Sequence, residues 1–181
     1  KFLDEGEEAI TEEELKAALR KRVLEGDFYL VTGGDGRGVI VEKLLDLVVD
    51  FLPSPLDIDE IWGENPKTGE RVGRKPDEKE PMSALAFKIA TDPFVGKLIF
   101  VRVYSGVLHS GSYVLNTTTG EKERIGRVVR MHADKREDID KIGAGDIAAV
   151  VGLKSTTTGN TLSDPAHPIA LESITFPDPP V

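Results

Sequence analysis

The chain has 181 residues, 39% of them hydrophobic, and carries a net charge of −9. It contains no cysteine, which excludes disulfides and thiolate metal sites, and no apolar run approaches the roughly 18 residues of a membrane-spanning helix. The excess acid is confined to residues 1–80, which hold 12 Lys/Arg and 21 Asp/Glu, whereas residues 81–181 hold 11 of each. This difference indicates two units of different character.

The first predicted element is a helix that follows Thr11. Thr11 and Glu14 have the spacing of a capping box, in which each side chain accepts a hydrogen bond from the other residue's backbone. Apolar residues from Leu15 to Val23 then recur at helical spacing, with basic residues near the C-terminal end. We expect this helix to end near Gly26.

A short apolar run and a second helix follow. Phe28–Val31 is bounded by glycine-rich sequence and predicts a buried strand. After the glycine cluster Gly33–Gly38, the apolar pattern from Val41 to Leu52 predicts a helix that is ended by Pro53. Helix, strand, loop and helix is the alternation of an α/β domain.

The glycine cluster invites comparison with phosphate-binding loops. Gly33 and Gly38 have the G-x-x-x-x-G spacing of such a loop, but Val39 and Ile40 stand where it requires Lys and then Ser or Thr. A dinucleotide-binding motif fails as well, because Asp35 occupies the position of its middle glycine. A tight turn between strand and helix is the simpler interpretation.

The rest of the chain has the character of a β protein. Residues 56–81 form a connector rich in Pro, Gly and charge, with a hairpin predicted around Asn65–Gly69. Turn signals then separate short β-like runs, which are Ala84–Ile89, Lys97–Tyr104, Ser112–Leu115, Lys122–Met131, Ile147–Leu153 and Ile174–Phe176. Many short strands at this spacing favour a small antiparallel barrel or sandwich.

Catalytic and metal-binding patterns are missing from the sequence. The three histidines, His109, His132 and His167, are scattered and lack the spacing of a metal site. None accompanies a G-x-S-x-G serine. We therefore assign no catalytic residue and no metal ligand.

One stretch is basic within an acidic chain. Residues 124–136 hold five Lys/Arg and one acid. On a continuous strand Arg124 and Arg130 would share one face and Arg127 would lie on the other, with a turn after Met131. The residues of interest are Arg124, Arg127, Arg130, His132, Lys135 and Arg136. This surface could hold phosphates, or it could be a solvated barrel edge protected by positive charge.

Several motifs of the second part resemble domain II of elongation factor G, a translational GTPase. They are the segments Ala84–Leu98, Arg102–Gly106, Arg130–Glu137, Ala144–Lys154 and Thr157–Leu162. Upstream, Val48–Pro55 is similar to the last helix of that family's GTP-binding domain and its exit. The family usually has Asp where this chain has Asn160, a change that a turn should tolerate.

The resemblance implies a fold and a set of partners. It implies a mainly β protein, with a small closed six-stranded Greek-key barrel preceded by an α/β fragment of a GTP-binding domain. The parent drives GTP-dependent tRNA–mRNA translocation, and its barrel docks on the small ribosomal subunit near 16S rRNA and packs against the GTP-binding domain. The basic stretch 124–136 becomes the expected rRNA-facing surface. We expect a cytoplasmic protein with no membrane or DNA partner.

The resemblance also implies what this piece lacks. The phosphate loop, switch segments and guanine motif of the family would precede Lys1. Only the family's last nucleotide motif, a Ser–Ala pair, could fall in this chain, where Thr32 and Gly33 occupy its positions. GTP or GDP is expected to bind the intact parent, but no cofactor is expected for this piece, which should be inactive alone.

The predicted division is residues 1–55 for the fragment of the GTP-binding domain, 56–81 for the connector and 82–181 for the barrel. The expected partners beyond the ribosome are the rest of the GTP-binding domain and the domains that follow. Two alternatives stay open. The parent could be another translational GTPase, either a ribosome-protection protein or release factor three, or the barrel could serve as a non-ribosomal interaction module.

Overall fold

The computed structural model describes Gly6 and residues 9–93, 95–133 and 135–171. The chain divides into two compact units, Lys1–Asp57 and Ile58–Val181. The run Ile174–Phe176, predicted above as a strand, lies outside the described residues. Within the described part, no helix is long and apolar enough to cross a lipid bilayer.

The first helix, α1 (Glu12–Leu24), begins with the predicted capping box. The Glu14 backbone N–H donates to Thr11 Oγ1 at 3.2 Å, and the Thr11 backbone N–H donates to Glu14 Oε2 at 3.0 Å. These two bonds satisfy donors that a helix N-terminus leaves without partners. The predicted helix is confirmed at both ends.

The second helix, α2 (Val39–Phe51), follows the glycine cluster. Gly36 and Gly38 have φ angles of 73° and 63°, which favour glycine and form the tight turn expected before the helix. The helix ends at Phe51, before Pro53. Arg20 of α1 donates to the backbone oxygen of Asp50 at 2.7 Å, so a specific contact joins the two helices.

The strand predicted at Phe28–Val31 is wrong. This segment has no strand structure and all four side chains are exposed, with Tyr29 at 79% and Val31 at 94%. A strand requires a neighbour that accepts and donates its backbone hydrogen bonds. No described segment of the first unit pairs with these residues, so their apolar character alone does not bury them.

The second unit begins with the predicted hairpin, β1 (Ile61–Glu64) and β2 (Arg71–Arg74). Its turn is held by the Asn65 backbone N–H, which donates to the Glu70 oxygen at 2.8 Å. Asn65 Oδ1 also accepts from the Lys67 backbone N–H at 2.9 Å. A last short strand, β13 (Ala170–Leu171), pairs with β1 and completes a three-stranded sheet.

The remaining strands of the second unit are β3 (Ser83–Asp92), β4 (Gly96–Ser105), β5 (Val107–His109), β6 (Tyr113–Asn116), β7 (Lys122–Arg124), β8 (Arg127–His132), β9 (Lys135–Ile139), β10 (Lys141–Gly143), β11 (Ile147–Val151) and β12 (Thr161–Ser163). The main sheet contains eight of them in the order β7-β6-β12-β3-β4-β11-β8-β9, and β5 pairs separately with β10. Five of the six predicted runs therefore contain strands. The alternation pattern missed β5, β9, β10, β12 and β13.

The sheet closes because β7 and β8 are consecutive parts of one segment. Only Ile125 and Gly126 separate them, yet β7 pairs with β6 and β8 pairs with β11. Ile125 exchanges two backbone bonds of 2.9 Å with the chain before β6, and the Gly126 N–H donates to the Val151 oxygen at 2.8 Å. Six strands thus form a ring, and β6, β7/β8 and β11 with β4 beside them make a Greek key.

The barrel interior is a single apolar core. Its buried side chains come from every strand of the ring and from β5 and β10, and include Ile99, Val101, Leu108, Val114, Ile125, Val128, Ile142, Val150 and Leu162. A second cluster, formed by Leu98, Val129 and Ala149, lies apart from this core. Neighbouring residues in β8 are therefore both buried: Val128 in the core and Val129 in the second cluster.

Candidate nucleic-acid interface

The basic stretch forms most of one hairpin, β8–β9. His132 pairs with Lys135 and Met131 with Arg136, so both strands continue into the segment that was predicted as a turn. Ala133, which follows β8, has a φ of 55°. His132, Lys135 and Arg136 thus belong to strands rather than to a long turn, which corrects the expectation for the residues after Met131.

The structure also corrects the predicted faces of the strand. Ile125 and Val128 both belong to the barrel core although they are three residues apart. The alternation therefore slips by one residue where the chain passes from β6 to β11. Arg124 and Arg127 both lie outside the core, and Arg130 follows the face of Val128. Sequence counting assumed a continuous strand and placed Arg124 with Arg130.

Five of the six predicted residues lie in this hairpin, and Arg124 does not. Arg124 is in β7, where its partner across the sheet is Tyr113. Its Nε is 3.5 Å from the Gly111 backbone oxygen. Arg124 is therefore on the neighbouring pair of strands, whereas Arg127, Arg130, His132, Lys135 and Arg136 share one ribbon.

The hairpin cations fall into two sets by strand pairing. Cross-strand partners point to the same side of a sheet, so Arg130, His132, Lys135 and Glu137 share one face. Arg127, Met131, Arg136 and Asp138 share the other. The two faces therefore have different chemical environments.

The cations of the second face form ion pairs with acidic side chains. Arg127 Nη1 is 3.4 Å from Asp138 Oδ2, and Arg136 contacts Asp92 of β3 through Nη1–Oδ1 at 3.0 Å and Nη2–Oδ2 at 2.8 Å. The Arg136 side chain is only 31% exposed and that of Asp92 12%. This double contact fixes the Arg136 side chain, and the Asp92 carboxylate neutralises much of its charge.

The same contact joins two hairpins. Asp92 Oδ1 also accepts from the Val95 backbone N–H at 3.1 Å, which shapes the turn between β3 and β4. Val95 and Met131 pack against the second apolar cluster, whose members come from β4, β8 and β11. The β3–β4 turn and the β8–β9 hairpin are therefore held side by side.

The first face retains unpaired positive charge. Within the described chain, no carboxylate forms an ion pair with Arg130 or Lys135, and both are exposed. His132 Nε2 lies 4.0 Å from Glu137, at the limit of an ion pair. Arg130, His132 and Lys135, which we call the cationic face, are thus available to anionic groups such as phosphates.

A buried carboxylate lies elsewhere in the barrel, and the sequence analysis did not identify it. Glu123 is 7% exposed and accepts hydrogen bonds from the Thr156 hydroxyl and from the backbone N–H groups of Lys154 and Ser155, at 2.6 and 2.9 Å for the last two. Burial alone would raise the pKa of Glu123, but these bonds and one from Asn116 outweigh it and hold the pKa below its usual range.

The Glu123 carboxylate is part of a polar network that fixes residues 154–160. Asn116 Nδ2 donates to Asn160 Oδ1 at 3.0 Å, and the Thr157 backbone N–H donates to the same oxygen at 2.9 Å. Lys97 Nζ donates to the Thr156 backbone oxygen at 2.7 Å. The network thus supports the fold.

The two residues predicted for guanine contact precede α2. Thr32 and Gly33 are exposed and lie in the irregular segment before that helix. Neither takes part in a hydrogen bond within the described residues, and the guanine contact expected of them in the intact parent stays a prediction. No group of three or more potential metal ligands occurs among the described residues.

Comparison with known proteins gives the class of this barrel: it is a domain of a translation factor. The family described as "Elongation factor G domain 2" matches residues 81–165, which span β3 to β12. This match confirms the resemblance of the barrel segment to domain II of elongation factor G.

A solved structure is similar to this chain in fold. A crystal structure of a protein from Thermus thermophilus aligns with 100% of this chain at a TM-score of 0.65 and 24% sequence identity. The chain covers 24% of the length of that protein. The mainly β fold class predicted from the sequence is therefore confirmed.

Proposed function

We propose that this chain is part of an elongation factor G and that its barrel docks on the small ribosomal subunit through 16S rRNA. The parent would drive GTP-dependent tRNA–mRNA translocation in the cytoplasm. In this piece the barrel would bind the ribosome and pack against neighbouring domains, without catalysis of its own. The family match of residues 81–165 favours this function over a ribosome-protection protein, release factor three or a non-ribosomal module.

The cationic face is the observation that supports the docking proposal. Arg130, His132 and Lys135 lie together on β8–β9 in a chain of net charge −9. Cations without acidic partners can exchange their counterions and water for phosphate oxygens, and such contacts weaken as salt concentration rises. Arg127 and Arg136 would contribute less, because Asp138 and Asp92 already neutralise them.

The surrounding structure makes this hairpin a suitable contact. The ion pair between Arg136 and Asp92 and the packing of Met131 on the second apolar cluster fix the ribbon against the barrel. A fixed ribbon loses little conformational entropy on binding. In the intact parent Thr32 and Gly33 would contact the guanine of GTP or GDP, and no part of the docking proposal depends on nucleotide.

The test is binding of the chain to purified small ribosomal subunits at low and moderate salt. The test variant carries Arg130→Glu and Lys135→Glu. The control variant carries Lys67→Glu and Lys141→Glu, which make the same change in net charge at exposed positions of the β1–β2 turn and β10. Circular dichroism and thermal unfolding of all three chains establish that each is folded.

We expect salt-sensitive binding of the native chain, a loss of tenfold or more in the test variant (about 1.4 kcal/mol or more), and near-native binding of the control. Equal binding by the native chain and the test variant would reject the cationic face as the contact. Equal loss in both variants would show a dependence on total charge rather than on this face.

A further inference from the structure

A groove outside the barrel core lies between the β1–β2 hairpin and the strands β3 and β4. It has a volume of about 490 Å³, within the range of ligand-binding clefts. Its walls are formed by Glu60, Ile61, Trp62, Arg71, Leu85, Tyr104 and Leu171. None of these residues belongs to the cationic face, so the groove is a separate feature of the second unit.

Two arginine–aromatic pairs lie at this groove, and Trp62, Arg71 and Tyr104 of these pairs line it. The Arg71 guanidinium lies 4.5 Å from the centre of the Trp62 ring, and the Arg102 guanidinium lies 5.1 Å from that of Tyr104. Arg102 is the cross-strand partner of Leu85, a wall residue. Each pair presents a flat surface beside a positive charge, which is the chemistry that recognises a base together with its phosphate.

Trp62 is positioned for contact rather than buried. The indole lies across Gly73, its partner on β2, where an added Cβ would come within 3.2 Å of the ring. It nevertheless remains 46% exposed. A large aromatic side chain that is fixed by its neighbours and still accessible is typical of a stacking platform.

Two arginines at the groove can take an anionic partner. Within the described residues, neither Arg71, on the groove wall, nor Arg102, beside the wall residue Tyr104, forms an ion pair with a carboxylate. Glu60 is the acidic residue of the wall. A phosphate would supply the opposite charge to both guanidinium groups.

We propose that this groove binds an unpaired nucleotide of single-stranded RNA, whose base stacks against the aromatic wall and whose phosphate contacts Arg71 and Arg102. A proline-rich peptide would also suit exposed aromatic rings, but it carries no anion for the two guanidinium groups. The inference goes beyond the docking function, which depends on β8–β9 and not on these residues.

The chain contains one tryptophan, so Trp62 fluorescence reports directly on the groove. The chain is titrated with an octamer of adenylate RNA at low salt, and with a blunt RNA duplex of equal length. The variants are Arg71→Met and Tyr104→Leu, which both keep Trp62. The control is Lys67→Met, which removes one charge from the turn of the same hairpin without touching the groove.

We expect saturable quenching by the octamer, weaker binding to the duplex, and about tenfold weaker binding of the octamer by each groove variant, since one stacked base contributes that much or more. Lys67→Met should bind as the native chain does. Absence of saturable quenching, equal binding of the duplex, or an equal loss in Lys67→Met would overturn the inference.

The two proposals fail separately in these experiments. The double variant of Arg130 and Lys135 should retain quenching by the octamer even where it loses ribosomal subunits. Loss of octamer binding in the groove variants with unchanged binding to the subunits would also support two separate sites. Quenching by a decaproline peptide and not by RNA would reject the nucleotide as the ligand.

Discussion

Arg136 and Asp92 form a two-point ion pair that joins segments 44 residues apart in the chain. Arg136 Nη1 contacts Asp92 Oδ1 at 3.0 Å, and Arg136 Nη2 contacts Asp92 Oδ2 at 2.8 Å. This paired geometry is the strongest that Arg and a carboxylate adopt. Arg136 was predicted from the sequence as an RNA contact, which stays a prediction, and in the structure it also joins the hairpin that carries the cationic face to β3.

We expect the ion pair to contribute measurably to stability. A double-mutant cycle with Asp92→Asn and Arg136→Met should give a coupling free energy of about 1–2 kcal/mol in urea unfolding, because the pair is partly buried and doubly bonded. The same cycle on the exposed pair Arg127 and Asp138 should give less than about 1 kcal/mol. Equal coupling energies for the two pairs would contradict the assigned role.

Glu123 should make stability depend on pH on the acid side. Its pKa in the folded chain lies below the ordinary value of 4.5, so the unfolded chain takes up the proton more readily. The stabilisation is therefore complete above about pH 4.5 and decreases as the pH falls through the folded-state pKa.

The Glu123→Gln variant tests this dependence. At neutral pH its free energy of unfolding should be about 1–3 kcal/mol lower than that of the native chain, because an amide nitrogen replaces one of the two carboxylate oxygens that accept from three donors. Between about pH 6 and pH 3.5 it should lose less stability than the native chain. Glu121→Gln, at an exposed position nearby, should change neither property, and an unchanged acid slope in Glu123→Gln would disprove the assignment.

Two glycines with similar backbone angles should respond differently to alanine. Gly106 has a φ of 68°, and an added Cβ would lie 2.5 Å from the Glu80 backbone oxygen and 2.6 Å from the Met82 backbone. Gly111 has a φ of 76° with nothing within 4 Å of an added Cβ. The close approach of two backbones, not the φ angle alone, therefore requires glycine at Gly106.

Gly111→Ala should lower the free energy of unfolding by about 1–2 kcal/mol, the cost of a left-handed conformation. Gly106→Ala should cost about 1–3 kcal/mol more, because a backbone must move. Thermal or urea unfolding of the two variants measures the difference. Equal losses would show that the backbone near Pro81 and Met82 adjusts without cost.

Asn160 should be replaceable by Asp but not by Leu. Its Oδ1 accepts hydrogen bonds from the Thr157 backbone, the Thr157 hydroxyl and Asn116 Nδ2, and a carboxylate oxygen accepts the same three. Asn160→Asp should change the free energy of unfolding by less than about 1 kcal/mol, whereas Asn160→Leu should cost about 1–3 kcal/mol through unsatisfied donors. A large loss in Asn160→Asp would show that negative charge is not tolerated beside Glu123.

Features that depend on neighbouring residues could be predicted from the sequence. The start of α1 follows from Thr11 and Glu14, three residues apart, and the end of α2 from Pro53. The β1–β2 hairpin follows from the turn at Asn65, and five runs of alternating residues contain strands. These signals act within a few residues, so they hold whatever surrounds them. The family motifs added the barrel, because they span most of its strands.

Features that depend on distant residues were decided only by the tertiary structure. The apolar run Phe28–Val31 is no strand, because no described segment lies beside it to complete its hydrogen bonds. The slip at Gly126 closes the barrel and changes which arginines share a face. The ion pair with Asp92 gives Arg136 a structural role, while Arg130 and Lys135 have no acidic partner among the described residues and are available to anionic groups. Strand neighbours and charge partners are set by chain segments tens of residues apart, which local patterns do not encode.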